Sequence, residues 1–301
     1  FSDTKRNKIV ITDMIFPSVY YVLKQMLPPH IELCMVKSED GITIPTEKLL
    51  DAIDERTCLV PISHVLFRTC YIMPVEQIIE KAHSVGAKVL LDAYHAVGIV
   101  PTDVTALNVD FLIGGVLKWM CGGPGGVFLY VRPDLIKTIE PKITGWFAHQ
   151  NSFGFEVGDI AFRDDAYRFL NGTFGVPSLY AIQPGIDIIA QVGVDNIRAK
   201  NRRQTALLFE LTEKAGFTMK SPSNPDERGG MVVVEVPYAY EVSRELIARD
   251  IIIDFRPDSS IRIAPHFYNT DDEVCLAVET ITVILESGDW QKHITDNRTM
   301  T

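Results

Sequence analysis

Two short stretches carry residue types that can do chemistry together. Asp92-Ala-Tyr-His95 sets a carboxylate and an imidazole at the end of the apolar run Lys88-Val-Leu-Leu-Asp92. Gly114-Gly115-Val116-Leu117-Lys118-Trp119 sets an amine past another apolar run, just before Cys121-Gly122-Gly123-Pro124-Gly125-Gly126. A carboxylate at the end of a buried strand needs a partner. It caps the next turn, or it pairs with a cation such as a protonated ring nitrogen. A lysine is most often a surface residue, but one desolvated beside other cations gives up its proton more readily and can attack a carbonyl carbon. Glycines let the backbone approach a ligand closely. Two strand ends that bring Asp92 and Lys118 to one cleft would meet the needs of pyridoxal 5'-phosphate (PLP). Its ring is an electron sink only while its nitrogen stays protonated.

The surrounding pattern supplies such strand ends. Residues 8–13, 30–36, 58–65, 88–92, 111–114 and 127–131 read as strands. Residues 18–27, 46–53 and 74–85 read as helices, the first preceded by Pro17 and the last ended by Gly86. Alternation of this kind predicts an α/β fold, a mostly parallel sheet with helices on both faces, which binds ligands beyond the carboxyl ends of its strands. The pattern breaks down over 144–175, a length of irregular chain that is usually functional or covers an interface. A long helical region, 178–215, follows, with interruptions expected near Pro184 and Gly193. A strand at 230–236, a helix at 241–249, short strands around Asp254 and Arg262 and a helix at 271–286 predict a smaller C-terminal α+β domain. The expected division is a large domain, 1–185, and a small one, 186–301.

Bulk properties narrow the function classes. The chain has 301 residues and a formal net charge of −10, which disfavours binding to nucleic acid. The basic cluster Arg198 to Arg203 reads as a solvated helix face. No apolar run is long enough to cross a bilayer. The five cysteines are widely spaced with no CxxC pair, so neither a metal site nor a disulfide framework is expected, and reduced thiols suggest a cytoplasmic protein. The sequence opens at Phe1, with no charged-then-apolar leader after it, which suggests a start inside a longer product.

In order and spacing these motifs resemble the class V aminotransferase family of fold type I PLP enzymes, and most of all kynureninases and their relatives. The D-x-x-H motif is Asp92 and His95, the lysine motif is Lys118-Trp119, and its glycine loop is Gly122 to Gly125. Gly145-Trp146-Phe147-Ala148-His149 is similar to a further family segment. Gly172-Thr173 is similar to a pair that a neighbouring subunit lends to the cofactor phosphate. Ile261 to Pro265 is similar to the segment whose arginine grips the substrate carboxylate, and Phe16-Pro17-Ser18 to the one whose ring stacks on the cofactor. The resemblance covers nearly the whole chain. It implies a three-layer α/β/α PLP-dependent transferase-like domain, a homodimer with active sites at its interface, and an amino-acid substrate. It also implies that Lys118 holds the cofactor and moves the Cα proton, while Asp92 holds the ring nitrogen.

For several residues two roles remain open. Phe16 stacks on the ring or belongs to the core. His95 bonds Asp92 or the ring oxygen, or is a satisfied core histidine. Arg262 pairs with the substrate carboxylate through its planar fork, with Arg256 as its rival. Trp146 and Phe147 wall an aromatic substrate or pack an interface. Two residues depart from kynureninases: Leu117 stands where they have tyrosine, and Val19 where they commonly have aspartate. The family's phosphate loop has no counterpart before Phe16, so weak phosphate binding is expected. The implied activity is kynureninase-like hydrolytic cleavage of a Cβ–Cγ bond. The alternatives are a class V aminotransferase, lyase or epimerase on another amino acid, or a non-catalytic truncated homologue. Desulfuration is disfavoured because no cysteine lies between Cys121 and Cys275.

Overall fold

Alternation along the first strand decides the layering. In a computed structural model, which describes residues 5–295 and leaves Phe1 outside, β1 (Lys8–Thr12) is buried along its whole length. Its odd residues Ile9 and Ile11 meet Tyr20 and Leu23 of α1 (Pro17–Met26) and Leu27 just after it. Val10, pointing the other way, joins the main core, where Ile78, Ile79 and Ala82 of α3 (Val75–Ser84) also pack. Successive side chains of a strand face opposite sides, so one sheet carries a helix layer on each face.

The other strands of this sheet are β2 (Glu32–Val36), β3 (Thr57–Ser63), β4 (Lys88–Asp92), β5 (Phe111–Gly115) and β6 (Val127–Val131), with α2 (Thr46–Ala52) between β2 and β3. The order is β2-β1-β3-β4-β5-β6. All neighbours run parallel except β5 and β6, which are antiparallel. Ser63 pairs with Asp92, and Asp92 with Ile113, so the carboxyl ends of β3, β4 and β5 lie in register. Leu91 is wholly buried. Truncating such a side chain typically costs about 2–5 kcal/mol, so the strand end that carries Asp92 is held firmly.

Beyond α4 (Pro133–Ile136) the chain makes three 3-10 turns, Trp146–Ala148, Ser152–Gly154 and Ala166–Phe169. α5 (Val176–Val192) and α6 (Val194–Lys214) then meet at Gly193, whose φ of 85° suits glycine. The break expected near Pro184 does not occur, because Pro184 sits inside α5. The lost backbone bond is tolerated where α5 lies tight on the loop after Lys118. A Cβ on Gly185 would come within 2.3 Å of the Cys121 carbonyl oxygen.

The second sheet has the antiparallel order β7 (Thr218–Met219), β8 (Val232–Glu235), β10 (Ser260–Ile263), β9 (Asp254–Arg256). Its core of Val232, Val234, Ile261 and Ile263 is covered by α7 (Ala239–Ala248) and α8 (Asp271–Ser287). A Thr270–Glu273 capping box starts α8. The fold is thus a three-layer α/β unit with a mostly parallel sheet, joined to a small antiparallel sheet with helices. We propose the division into 1–185 and 186–301 from the two sheets, although Ile189, Ile197, Met231 and Val233 pack in the main core and the boundary runs through α5. Among the described residues no helix is long and apolar enough to cross a membrane.

Candidate active site

A cavity of about 590 Å³ opens between α1 and the carboxyl ends of β3 to β5, and Asp92, His95, Lys118 and Phe16 all line it. A slightly larger hollow, about 670 Å³, has His64 on its wall but no lysine.

Lys118 follows β5 in a loop closed by short backbone bonds: Gly122 N–H to the Val116 carbonyl at 2.7 Å, Val116 N–H to that of Gly126 at 3.1 Å, and Cys121 N–H to that of Lys118 at 3.2 Å. Its Nζ lies 2.6 Å from His95 Nε2, 5.8 Å from the centre of the Tyr94 ring and 6.0 Å from that of Phe16. Burial pushes the amine down to about 8. Asp92 opposes the shift, Arg262 and Arg256 add to it, and Asp254 opposes it. At pH 7 roughly one Lys118 in ten is therefore neutral, against fewer than about one in a thousand for an ordinary lysine.

Asp92 is buried, 8% exposed. Its Oδ1 accepts the Tyr94 N–H at 3.0 Å. Burial raises its pKa, while the Tyr94 amide and the Lys118 charge lower it. Among the described residues Asp92 makes no ion pair. A buried carboxylate without a cation is costly unless something else supplies the charge. Tyr94 lies across β5, where a Cβ on Gly115 would meet its ring at 2.2 Å.

His95 bonds the Lys118 amine, a partner the sequence did not suggest for it. Burial first, then the charges of Lys118, Arg262 and Arg256, hold it well below the ordinary histidine range, so it is a neutral imidazole. Phe16 is 41% exposed and packs edge-on against Phe67, ring centres 5.2 Å apart, so it is not a core residue. Leu117 and Val19, the two departures from kynureninases, both line the cavity.

Arg262 lies on β10 with its side chain only 10% exposed. Its Nη1 donates to the Phe67 carbonyl at 2.5 Å and its Nε to Asp254 Oδ2 at 2.6 Å. Arg256 binds the other oxygen of Asp254 at 2.6 Å. Trp146 and Thr173 are not on the cavity wall. Trp146 lies tilted by 31° on Phe147, ring centres 4.1 Å apart, within a surface aromatic cluster that includes Phe153 and Phe155, and Thr173 is exposed. The sequence reading assigned no role to Tyr94, Phe67 or Asp254. Asp254 faces Arg262 across the β9–β10 hairpin, a pairing set by the strand register.

The model of the class V aminotransferase family matches residues 3–255. This chain belongs to the class V aminotransferase family. A kynureninase from Pseudomonas fluorescens is 32% identical over 295 residues, 95% of this chain and 69% of its own. An uncharacterized aminotransferase from Bacillus subtilis (strain 168) is 31% identical over 276 residues, 92% and 72% of the two chains. Among solved structures, the apo cysteine desulfurase of Thermococcus onnurineus NA1 superposes with a TM-score of 0.82 at 19% identity, covering 94% of this chain and 74% of its own. A cystine C-S lyase in complex with its product cysteine persulfide gives 0.81 at 19% identity, covering 92% and 75%. At that identity the likeness establishes the fold alone. The class V cofactor is PLP, and the lone buried carboxylate and the depressed amine on one cavity fit it.

Proposed function

We propose that this chain is the catalytic subunit of a PLP-dependent enzyme acting on an α-amino acid, with Lys118 as the residue that carries the cofactor. One observation carries the reading. The Lys118 amine and the Asp92 carboxylate face a single cavity, and the carboxylate has no ion-pair partner of its own among the described residues. When bound, the cofactor supplies an electron sink for charge developing at Cα. Asp92 would keep a proton on the ring nitrogen. Lys118 would hold the cofactor and would take and return the Cα proton at Nζ, a role suited to an amine whose pKa lies near working pH. His95 holds Nζ at 2.6 Å and orients it. Phe16, on the cavity wall, would cover one face of the ring, and Arg262 would take the α-carboxylate.

The reaction we favour is kynureninase-like hydrolysis of a Cβ–Cγ bond, supported by the identity to kynureninases. A second reading, transamination, lysis or epimerisation of another amino acid, is favoured by Leu117. An aliphatic side chain on the cavity wall can neither hold a phosphate nor move a proton. We further propose a cytoplasmic homodimer in which Thr173 and Trp146 serve the neighbouring subunit's site. Borohydride reduction of the PLP-loaded protein, followed by peptide mapping, is expected to find the cofactor on Lys118. Label on another lysine, with Lys118 unmodified, overturns the assignment. Release of alanine from an aryl γ-keto amino acid separates the two reactions.

A further inference from the structure

The hairpin of β9 and β10 sets Asp254 directly opposite Arg262. Both Nε (at 2.6 Å) and Nη2 of Arg262 donate to Asp254 Oδ2. On the far side Nη1 donates to the Phe67 carbonyl. The other Asp254 oxygen is held by Arg256 Nη1 at 2.6 Å, and that same nitrogen donates to the Phe255 carbonyl at 3.0 Å. A guanidinium has five N–H bonds in one plane. Three are engaged, so two remain, one on each terminal nitrogen. Among the described residues the plane is held through Nε, Nη1 and Nη2, and the two N–H bonds left match the number a carboxylate takes through two parallel bonds.

We propose that Asp254 is the positioning residue of the substrate-carboxylate site: it holds the Arg262 fork by one edge so that its two unused N–H bonds are presented to the α-carboxylate of an amino acid. This rests on the reading of Arg262 given above. Asp254 does not compete with the substrate, because the carboxylate needs two N–H bonds and two are left. Arg256 fixes Asp254 in turn, so the arginine that rivalled Arg262 in the sequence acts one step behind it. The same aspartate bears on the amine. Lys118 is faced by Asp92, His95, Tyr94, Arg262, Arg256 and Asp254, and of these Asp92 and Asp254 support its charged form against the two arginines. Removing the charge at 254 makes the lysine nitrogen easier to deprotonate.

The test uses PLP-loaded protein, with L-alanine as probe, ethylamine as the same amine without the carboxylate, and the cofactor's visible absorbance as readout. Asp254→Asn is expected to weaken L-alanine at least about tenfold, with ethylamine changed less than about twofold, the cost of misplacing a bidentate pair. The pH midpoint of the absorbance band is expected to move down, a shift that loss of mere packing does not produce. Asp254→Glu, which keeps the charge and both oxygens, is expected to recover most of both. Arg262→Lys tests the underlying reading. If it leaves L-alanine unaffected, the carboxylate role of Arg262 fails and this proposal goes with it. If it weakens L-alanine and Asp254→Asn does not, the proposal alone falls. Tighter L-alanine binding by Asp254→Asn shows competition and also overturns it. A measurement on the unmutated protein removes any dependence on how the variants fold: the Arg262 Nε–H resonance, assigned by its loss in Arg262→Lys, is expected to stay protected from exchange with and without L-alanine. Release of that protection on L-alanine binding shows that Asp254 lets go, and overturns the proposal.

Discussion

Two stretches that the sequence marks for function end in opposite circumstances. Asp92, His95 and Lys118 sit at the ends of buried parallel strands and converge on one cavity, whereas Trp146 and Thr173 lie in and beside 3-10 turns, outside that cavity. The first group is positioned by backbone that β3, β4 and β5 hold in register, with side chains such as Leu91 wholly buried beneath it. The second is held by loop contacts, such as the buried Arg168 donating to the Ile139 and Arg163 carbonyls, and not by a sheet. Phe153 and Phe155 are 73% and 70% exposed, an apolar surface larger than isolated side chains would explain. One region converges on a cavity within the chain. The other is exposed, and we propose that it meets a partner subunit, so variants in the two should fail in different ways.

The largest contrast is expected at Asp92. Asp92→Asn is expected to lower turnover by at least about a hundredfold, since the ring nitrogen then loses its proton and the electron sink weakens. The cofactor-free protein should not suffer. Burial raises the folded pKa of Asp92 above its unfolded value. The folded state therefore holds the extra proton, and the associated stability is present below the unfolded pKa and lost as pH rises through the folded one. At neutral pH the buried charge costs stability, and Asp92→Asn removes that cost. Cofactor-free melts are expected to show the variant at least as stable as the unmutated chain at pH 7, with the difference shrinking as pH falls through the carboxylate range. Unchanged turnover makes Asp92 a turn cap, bonded to Tyr94, and dissolves the contrast.

A smaller effect is expected at Arg262, which belongs to the second sheet yet donates to the Phe67 carbonyl at the edge of the cavity. Arg262→Lys keeps the charge and loses the fork, so kcat/KM for the amino-acid substrate is expected to fall more than about tenfold, roughly 1.4 kcal/mol. If Arg256→Lys is the damaging change instead, the carboxylate role belongs to Arg256.

These residues also mark how much was legible in the sequence. Apolar runs of strand length ending in Asp92, and a lysine ahead of glycines, are local signals, and they led to the parallel sheet, the cavity and its central pair. What depended on pairing across the chain was not legible. Asp254 holds Arg262 only because the β9–β10 register sets them opposite, and a strand pattern names its residues without naming their partners. For His95 the sequence left Asp92, the ring oxygen and the core open, and the turn after β4 carries its ring to Lys118, a partner the local pattern does not name. Pro184 was read as a break because its own cost is local, while the close packing of Gly185 on the Cys121 carbonyl that keeps α5 in place is not.

The exposed region yields the smallest effect and the sharpest geometry. Thr173 is exposed and lies off its own chain's cavity wall, so Thr173→Ala is expected to leave folding stability within about 0.5 kcal/mol. If its hydroxyl reaches the cofactor phosphate of a neighbouring subunit, the variant loses one hydrogen bond to a charged group, about 1.5 kcal/mol, and PLP binding weakens about tenfold. Mixed dimers decide which chain it serves. Combine Thr173→Ala chains with Lys118→Ala chains. When Thr173 acts across the interface, each mixed dimer has one site with both residues intact and one lacking both, so full-affinity, lysine-linked PLP reappears at half the sites. When it acts within its own chain, one site lacks the threonine and the other the lysine, and no intact site forms. A PLP titration of the mixed dimers, read by the absorbance of lysine-bound cofactor, distinguishes the two. Absence of the tight class of sites returns Thr173 to its own subunit and leaves the exposed aromatic surface without a part in the active site.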